Sequence, residues 1–357
     1  MSCRDAVIAA LSELSPDARV LICAHTRPDG DAVGSVLALT SALRARGLHN
    51  VRPLLADNAD APCVYSWLAG FDDYCRPDGI DPEIAPIDLF IALDTPDLAR
   101  LNAAGPLLQA AATSILIDHH PQADSAASYA ALTCSDTSAA ATGQLLWQIM
   151  RDAGWTRGVD VATACYTALM TDTGSFRFSN TDVVALRDAA DMVAAGADPA
   201  DIANRAYGEK PLAALQLEAR IMRRAVLLNG GAVVHSYLAD ADLQELQVPA
   251  AWAENLIDLI RTVAPAQVAV LITHAASGPR VSLRSNGSFD VAAVARTFGG
   301  GGHRAAAGIA WQDKCATREQ ILSELLPVLP SLTDLSDLSG LSGMTATSGT
   351  TDTPGTN

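Results

Sequence analysis

The first half of the chain alternates short, fully apolar runs with amphipathic stretches. Residues 20–24 (VLICA) form a run that is typical of a strand buried on both faces of a parallel sheet. Similar runs follow at residues 51–56, 89–93 and 114–117, and residues 31–46 have the apolar spacing of a helix. This alternation predicts βαβ units and a doubly wound, mainly parallel α/β sheet with helices on both faces.

The second half of the chain begins with helical patterns and then returns to an α/β alternation. Residues 138–170 and 182–228 are predicted to be helical. Beyond them, strands are predicted at residues 232–238, 268–273 and 280–284, and helices at residues 252–263 and 291–298. These elements predict a second, smaller α/β unit.

Together the patterns divide the chain into four segments. We expect a larger domain at residues 1–190, a helical linker at residues 191–230 and a smaller domain at residues 231–330. Residues 331–357 are rich in Ser, Thr, Gly and Asp and contain no aromatic residue. Such a segment cannot bury enough apolar surface to fold, so a disordered tail is predicted.

Composition restricts the partners of the protein. A net charge of −16 is incompatible with the broad basic surface that long nucleic acid requires, so we expect a small or short ligand and no long duplex. No apolar run is long enough to cross a membrane, and the acidic start does not resemble a secretory signal. The seven cysteines are irregularly spaced without a CxxC pair, which argues against a disulfide framework or a zinc ribbon. We therefore expect a cytoplasmic protein with no membrane partner.

Residues with acid–base or metal-binding side chains follow three of the predicted strands. The carboxyl ends of parallel strands meet at one edge of a sheet, where open α/β folds bind their ligands. A further polar group follows the helical run ACYTALM. The candidate residues are His25, Asp29, Asp31, Asp94, Asp118, His119, His120 and Asp172.

The five carboxylates in this set would repel one another strongly in a single pocket unless cations neutralised them. A lone Asp after a strand is often only a helix N-cap, so the prediction depends on the clusters occurring together. Carboxylates mixed with imidazoles, without cysteine, favour Mn²⁺ over a structural zinc site, and Mg²⁺ seldom recruits several histidines. We predict two Mn²⁺ ions per site, with Mg²⁺ or Co²⁺ as substitutes.

A second cluster, residues 298–308 (FGGGGHRAAAG), follows the last predicted helix. A run of glycines lets backbone N–H groups approach a phosphate closely, and an arginine at a strand end can clamp the phosphate bidentately. A glycine run alone is also explained by a flexible turn. The predicted substrate-binding residues of this region are Arg284, Ser285, Gly300, Gly301, Gly302 and His303.

The motifs taken together resemble a known family. The segments HTRPDGDAVGS, FIALDTPD, IDHHP and TDTGSFRFSNT resemble the four motifs of the DHH phosphoesterase superfamily, and RVSLRSNGSFDVAAVARTFGGGGHRAAAG resembles the DHHA1 motif. Residues 5–328 are similar to the group of bifunctional oligoribonucleases and phosphoadenosine phosphate phosphatases, also called nanoRNases. One departure is Ala123, which stands where many members have Asn, so any substrate contact made by that Asn is in question.

The resemblance implies a role for each candidate residue. One Mn²⁺ would be held by His25, Asp29 and Asp94, and the other by Asp31, Asp94, His119 and Asp172. Asp118 would orient His119, and His120 would face the scissile phosphate and contact the substrate. The implied catalytic residues are Asp94, Asp118, His119 and His120.

The resemblance also implies an activity: hydrolysis of oligoribonucleotides of two to five nucleotides, of 3′-phosphoadenosine 5′-phosphate, or of both. Three alternatives stay open, namely a phosphodiesterase for cyclic or linear dinucleotides, a RecJ-like single-strand exonuclease, and a nucleotide-binding sensor without catalysis. The acidic charge disfavours the exonuclease, and the complete set of expected ligands disfavours the sensor. The oligomeric state stays open, with a homodimer among the states allowed.

Overall fold

The computed structural model describes residues 2–121, 129–208, 210–253, 256–275 and 278–331. The chain divides into two compact units, Met1–Lys210 and Pro211–Asn357. Ala123 and the predicted tail beyond Ser331 lie outside the described residues.

The first unit is built on a parallel sheet of five strands in the order β2-β1-β3-β4-β5. The strands are β1 (Arg19–Cys23), β2 (Asn50–Leu54), β3 (Leu89–Leu93), β4 (Thr113–Asp118) and β5 (Leu132–Ser135). The four apolar runs of the sequence form β1 to β4, and the doubly wound α/β fold predicted for this half is confirmed. β5 was not predicted, because the short segment LTCS has neither a continuous apolar run nor a clear alternation.

The helices of this unit pack closely through small residues. They are α1 (Cys3–Ser12), α2 (Gly30–Ala45), α3 (Gly105–Ala110), α4 (Thr142–Asp152), α5 (Val159–Asp172), α6 (Val183–Ala194) and α7 (Pro199–Ala203). A Cβ at Gly34 of α2 would lie 2.5 Å from the carbonyl oxygen of Ala164 in α5. A Cβ at Gly143 of α4 would lie 2.4 Å from the Cβ of Ala168. These glycines let α2, α4 and α5 approach each other, which brings the start of α2 and the start of α4 towards the end of α5.

The second unit contains a mixed sheet of six strands in the order β10-β11-β9-β8-β7-β6. Its strands are β6 (Val226–Leu228), β7 (Val233–Leu238), β8 (Val268–Ala275), β9 (Gly278–Ser285), β10 (Gly301–His303) and β11 (Ala306–Ala310). Only the pairing of β7 with β8 is parallel among these described strands. Its helices are α8 (Leu212–Arg223), α9 (Asp240–Leu246), α10 (Ile257–Arg261), α11 (Val291–Thr297) and α12 (Arg318–Leu325).

One local prediction differs from the structure. The helix expected up to Leu228 ends at Arg223, and Val226–Leu228 instead forms an edge strand paired with β7. Pairing with the neighbouring strand decides this conformation, which periodicity alone does not record. Residues 138–170, predicted to be helical, contain the helices α4 and α5, and Gly301–His303 of the glycine run forms β10.

Candidate metal centre

The candidate residues of the first unit meet at the carboxyl edge of its parallel sheet. His25 follows β1, Asp94 follows β3, Asp118 ends β4, and His119 comes directly after it. Asp31 lies in the first turn of α2, which also starts at this edge. His25, Asp31, Asp94, Asp118 and His119 are all buried. Charged or ionisable side chains are seldom buried together without a partner, so the cluster indicates a functional centre.

Three groups of side chains each bring their ligand atoms within 4.8 Å of one another. The groups are His25–Asp29–Asp94, Asp94–His119–His120 and Asp31–His119–Asp172. Asp94 and His119 each belong to two groups. A carboxylate that belongs to two groups is the arrangement expected when two cations lie side by side, because each of its oxygens can face one cation.

Asp94 stands at the middle of the cluster, with its two oxygens facing different histidines. Its Oδ2 lies 3.4 Å from Nε2 of His25, and its Oδ1 lies 3.5 Å from Nε2 of His119 and 3.3 Å from Nδ1 of His120. Burial alone would raise the pKa of Asp94, but hydrogen bonds and charge from His120 and His25 outweigh it and hold the pKa well below its usual value. The carboxylate is therefore ionised between the histidines.

The backbone is strained around the cluster. Asp94 adopts a φ of 53°, and Arg27, in the loop after β1, adopts a φ of 52°. Ser175 and Phe176, just beyond α5, have φ values of 59° and 60°. Left-handed conformations are uncommon for residues other than glycine, and they concentrate at functional sites where the surrounding structure fixes them.

Asp31 is held by donors from two helices. Its Oδ2 accepts the N–H of Thr142 at 2.7 Å, and its Oδ1 accepts the N–H of Gly143 at 2.9 Å and the hydroxyl of Ser35 at 3.0 Å. The Nε2 of His119 lies 3.7 Å from Oδ2. Burial and the nearby charge of Asp94 nevertheless raise the pKa of Asp31 well above its usual value. Its carboxylate therefore needs a further positive charge to stay ionised.

The remaining ligand candidates, Asp29 and Asp172, are more exposed than the buried carboxylates. Oδ1 of Asp29 lies 3.9 Å from Nε2 of His25, and Oδ2 of Asp172 lies 3.7 Å from Nε2 of His119. Asp172 ends α5, and Asn180 donates to its backbone carbonyl at 3.1 Å. These two carboxylates therefore lie on the side of the cluster that solvent and ligand reach.

Asp118 contacts His120, the second histidine of the Asp-His-His sequence. Its Oδ1 lies 2.8 Å from Nδ1 of His120 and accepts the backbone N–H of His120 at 3.1 Å. His119 instead has its Nδ1 3.2 Å from the carbonyl oxygen of Ala139, which leaves Nε2 facing the carboxylates. These contacts indicate that a backbone carbonyl orients His119 and that Asp118 orients His120.

The donor set fits a pair of divalent cations. Asp31, Asp94 and Asp172 all face His119 within 3.7 Å, so their negative charges are crowded around one imidazole. Both His25 and His119 use Nδ1 towards a backbone carbonyl, and each directs Nε2 to the carboxylate cluster. An Nδ1 contact of this kind fixes the ring of a metal-binding histidine in other proteins. Oxygen and imidazole nitrogen atoms, without a thiolate, suit Mn²⁺ and similar ions.

Sequence reasoning missed the residues that hold the ligands in place. Thr142, Gly143, Ser35 and Ala139 contact Asp31, Asp94 or His119. A threonine at the start of a helical pattern is ordinarily explained as a helix-start residue, and the alanine acts through its backbone. No signal in the sequence distinguishes them.

In the second unit, the register of the sheet places two of the predicted substrate-binding residues, Arg284 and His303, in one row. Arg284 of β9 pairs with Ala306 of β11, and Ala306 pairs with His303 of β10. Ser285 is buried next to Arg284, and its hydroxyl donates to the carbonyl of Gly287 at 3.3 Å. Nε of Arg284 lies 3.7 Å from Oδ1 of Asp258 in α10.

The glycines of this region have different structural requirements. A Cβ at Gly300 would lie 2.2 Å from the carbonyl oxygen of Gly308, and Gly302 combines a φ of 137° with a contact of 2.5 Å to the carbonyl oxygen of Ala306. A Cβ at Gly301 would meet nothing within 4 Å. Gly300 and Gly302 are thus required by the packing of β10 on β11, whereas Gly301 has open space beside it.

Comparisons with known proteins agree with this architecture. Residues 19–171 match the model of the DHH family, N-terminal domain, and residues 230–327 match the DHHA1 domain. The bifunctional oligoribonuclease and PAP phosphatase NrnA of Thermus thermophilus is 30% identical over 290 residues, which cover 81% of this chain and 83% of the relative. The chain belongs to the DHH family. It is therefore a phosphoesterase, a hydrolase of phosphoric ester bonds, and the family is metal-dependent.

Two further matches extend the likeness. The NrnA protein of Bacillus subtilis, which has the same description, is 26% identical over 292 residues, or 81% of this chain and 88% of the relative. The crystal structure of an exopolyphosphatase-related protein from Bacteroides fragilis is 21% identical and superposes with a TM-score of 0.79, covering 91% of this chain and 96% of that one. The latter match supports the fold. No helix among the described residues is long and apolar enough to span a membrane.

Proposed function

We propose that this DHH phosphoesterase uses two Mn²⁺ ions to hydrolyse short oligoribonucleotides of two to five nucleotides and 3′-phosphoadenosine 5′-phosphate. The observation that carries the proposal is the carboxylate of Asp94, whose oxygens face His25 on one side and His119 on the other. The names of the Thermus thermophilus and Bacillus subtilis relatives support the substrate class. Mg²⁺ and Co²⁺ are the expected substitutes for Mn²⁺.

Each cation would have its own ligands apart from the shared Asp94. The first would be held by His25, Asp29 and Asp94, and the second by Asp31, Asp94, His119 and Asp172. When bound, such a pair lowers the pKa of a water molecule and neutralises the charge that develops on phosphate oxygens.

His120 would contact the scissile phosphate. Burial opposes the charging of its ring, but hydrogen bonds and charge from Asp118 and Asp94 outweigh burial and raise its pKa to about 11. A protonated His120 would offer a charged donor to an anionic ester. Asp118 would hold the ring through Nδ1 and so leave Nε2 for the phosphate. Hydrolysis would form a phosphorus–oxygen bond from water and break the bond between phosphorus and the sugar oxygen, which leaves as a hydroxyl group with a proton that the water supplies.

The second unit would bind the nucleotide away from the bond that is cleaved. Arg284 and Ser285 end β9, Gly301, Gly302 and His303 form β10 two strands away in the same sheet, and Gly300 directly precedes β10. These residues would bind a terminal phosphate of the nucleotide substrate. Glycine N–H groups and an arginine are common phosphate ligands.

A substrate panel tests the proposal directly. The purified chain, loaded with Mn²⁺, is incubated with 3′-phosphoadenosine 5′-phosphate, pApA, pGpG, a five-nucleotide RNA, a 24-nucleotide RNA and cyclic diadenosine monophosphate. We expect turnover of the first four substrates and little turnover of the last two. Faster hydrolysis of the cyclic dinucleotide or of the long RNA would refute the substrate class, and equal activity in the presence of EDTA would refute the metal requirement.

A further inference from the structure

Thr142 contacts the carboxylates of both proposed cation positions. It is fully buried in the first turn of α4. Its backbone N–H donates to Oδ2 of Asp31 at 2.7 Å, and its hydroxyl donates to Oδ1 of Asp94 at 3.1 Å. These partners are 111 and 48 residues away in sequence, so the contacts depend on the packing of α4 against α2 and the sheet.

The two contacts have different consequences for substitution. Asp31 also accepts the N–H of Gly143 and the hydroxyl of Ser35, so it keeps its donors whatever side chain stands at position 142. Thr142 donates to Asp94 through its side-chain hydroxyl and not through its backbone. A substitution can therefore remove the donor to Asp94 and leave the backbone donor to Asp31 in place.

The hydroxyl of Thr142 acts on the oxygen that faces the second cation position. Oδ1 of Asp94 faces His119 and His120, whereas Oδ2 faces His25. A hydroxyl donor on Oδ1, beside the contact from His120, restrains the rotation of the carboxylate plane. Without it, the carboxylate can turn so that both oxygens approach one position.

We propose that Thr142 is a positioning residue that divides the two oxygens of Asp94 between the two cations. This inference rests on the proposed function, because it requires cations at both positions. Its own evidence is the hydrogen bond from a buried hydroxyl to the shared carboxylate, at a residue outside the recognised motifs. Carboxylate ligands elsewhere are held by similar outer hydrogen bonds, and their loss typically lowers metal affinity or activity by about 10- to 100-fold.

The chain offers a closely matched control. Thr167, in the middle of α5, is also fully buried, and its hydroxyl donates at 2.8 Å to the carbonyl of Thr163 in the same helix. Thr142→Val and Thr167→Val each remove one buried hydroxyl and keep the shape of the side chain. Only the first loses a donor to a candidate metal ligand. Thr142→Ser restores the hydroxyl without the methyl group.

The decisive measurement is calorimetric titration of the metal-free full-length protein with Mn²⁺ alone. We expect Thr142→Val to weaken the lower-affinity Mn²⁺ by about tenfold or more, and Thr142→Ser and Thr167→Val to stay close to the wild-type protein. In turnover of 3′-phosphoadenosine 5′-phosphate at fixed Mn²⁺, kcat should fall for Thr142→Val while KM changes by less than about twofold.

The outcomes separate positioning from a structural role. If Thr142→Val and Thr167→Val lose Mn²⁺ affinity equally, or if Thr142→Ser is as impaired as Thr142→Val, the inference is wrong. If Thr142→Val fails to fold, Thr142→Ala replaces it in the Mn²⁺ titration, because alanine keeps the backbone donor and adds no bulk. The same loss of Mn²⁺ affinity is expected for Thr142→Ala. A wild-type protein that binds two Mn²⁺ ions but hydrolyses none of the substrates would refute the proposed function and leave the titration as the test of Thr142.

Discussion

Nδ1 of His120 lies 2.8 Å from Oδ1 of the fully buried Asp118, so the second histidine of the Asp-His-His sequence is the one that Asp118 orients. His119, the first histidine, is oriented by the carbonyl of Ala139. The two neighbouring histidines therefore have different partners: His119 faces the carboxylates of the candidate metal centre, whereas His120 contacts Asp118 and is the residue that we propose to bind the substrate.

From the contact between Asp118 and His120 we predict that Asp118→Asn impairs catalysis without loss of metal binding. The asparagine keeps an acceptor for Nδ1 but removes the negative charge, so His120 loses part of the interaction that keeps it protonated. We expect kcat to fall about tenfold or more, with two Mn²⁺ ions still bound. Steady-state kinetics together with metal analysis checks this. Loss of one Mn²⁺ from the variant would show that Asp118 is itself a ligand.

Asp94→Ala should have the larger effect, because it removes the carboxylate that both cations would share. We expect turnover to become undetectable and the Mn²⁺ content to fall below two per chain. Metal analysis after dialysis, with circular dichroism to confirm folding, is the appropriate measurement. Substantial turnover in this variant would contradict the two-cation proposal.

Arg284→Ala should weaken substrate binding and leave the metal centre intact. Loss of one charge-assisted contact to phosphate costs about 1.5–3 kcal/mol, which corresponds to a rise in KM of roughly 10- to 150-fold. Mn²⁺ content and hydrolysis of the generic ester bis(p-nitrophenyl) phosphate should be largely retained. Arg280→Ala, four residues earlier on the same strand, is the matched control and should leave KM unchanged. If Arg284→Ala impaired hydrolysis of the nucleotide substrate and of bis(p-nitrophenyl) phosphate equally, Arg284 would not be a phosphate-binding residue.

The glycine run allows a test that distinguishes phosphate binding from folding. Gly301→Ala places its Cβ in open space, so the free energy of unfolding should change by less than about 1 kcal/mol. Gly302 has a φ of 137°, and a Cβ at this position would collide with the backbone of Ala306. Gly302→Ala should therefore destabilise the protein by more than about 2 kcal/mol. Urea unfolding compares the two variants. If Gly301→Ala raises KM and is as stable as the wild type, the glycine run binds substrate. If KM is unchanged, the glycine run is required only for the packing of β10 on β11.

His235 predicts how stability depends on pH. It is buried in β7, with Nδ1 3.2 Å from the carbonyl oxygen of Val270 and with no hydrogen-bond partner for Nε2 among the described residues. Burial lowers its pKa to about 4, against the opposing effect of the Val270 carbonyl. The unfolded chain, with a pKa of about 6.5, therefore binds this proton first as the pH falls.

Protonation of His235 makes the folded protein less stable as the pH falls. The stability that neutral His235 contributes is complete above about pH 6.5 and is lost as the pH falls from there towards 4. Between pH 7 and pH 5 the loss should be about 2 kcal/mol in the free energy of unfolding. Urea unfolding of the wild type and of His235→Leu at both values measures it, with His49→Leu as an exposed control. An identical pH dependence in wild type and His235→Leu would show that the buried ring does not contribute.

The sequence by itself determined the parallel sheet of the first unit and the edge where its ligands meet. Continuous apolar runs become strands buried on both faces, and parallel strands bring their carboxyl ends together, so His25, Asp94 and His119 had to converge. The second α/β unit followed from the same kind of pattern. These features are local, because a run of apolar residues records burial directly.

The tertiary structure decided the contacts between segments that are far apart in sequence. Thr142 reaches Asp94 because α4 packs on α2 and α5 through small residues, and no periodicity encodes that approach. The carbonyl of Ala139 lies beside His119 because Ala139 follows β5, which pairs with β4. Side-chain partners are chosen by distance and direction in space, whereas a hydrophobic pattern specifies only which face of an element is buried.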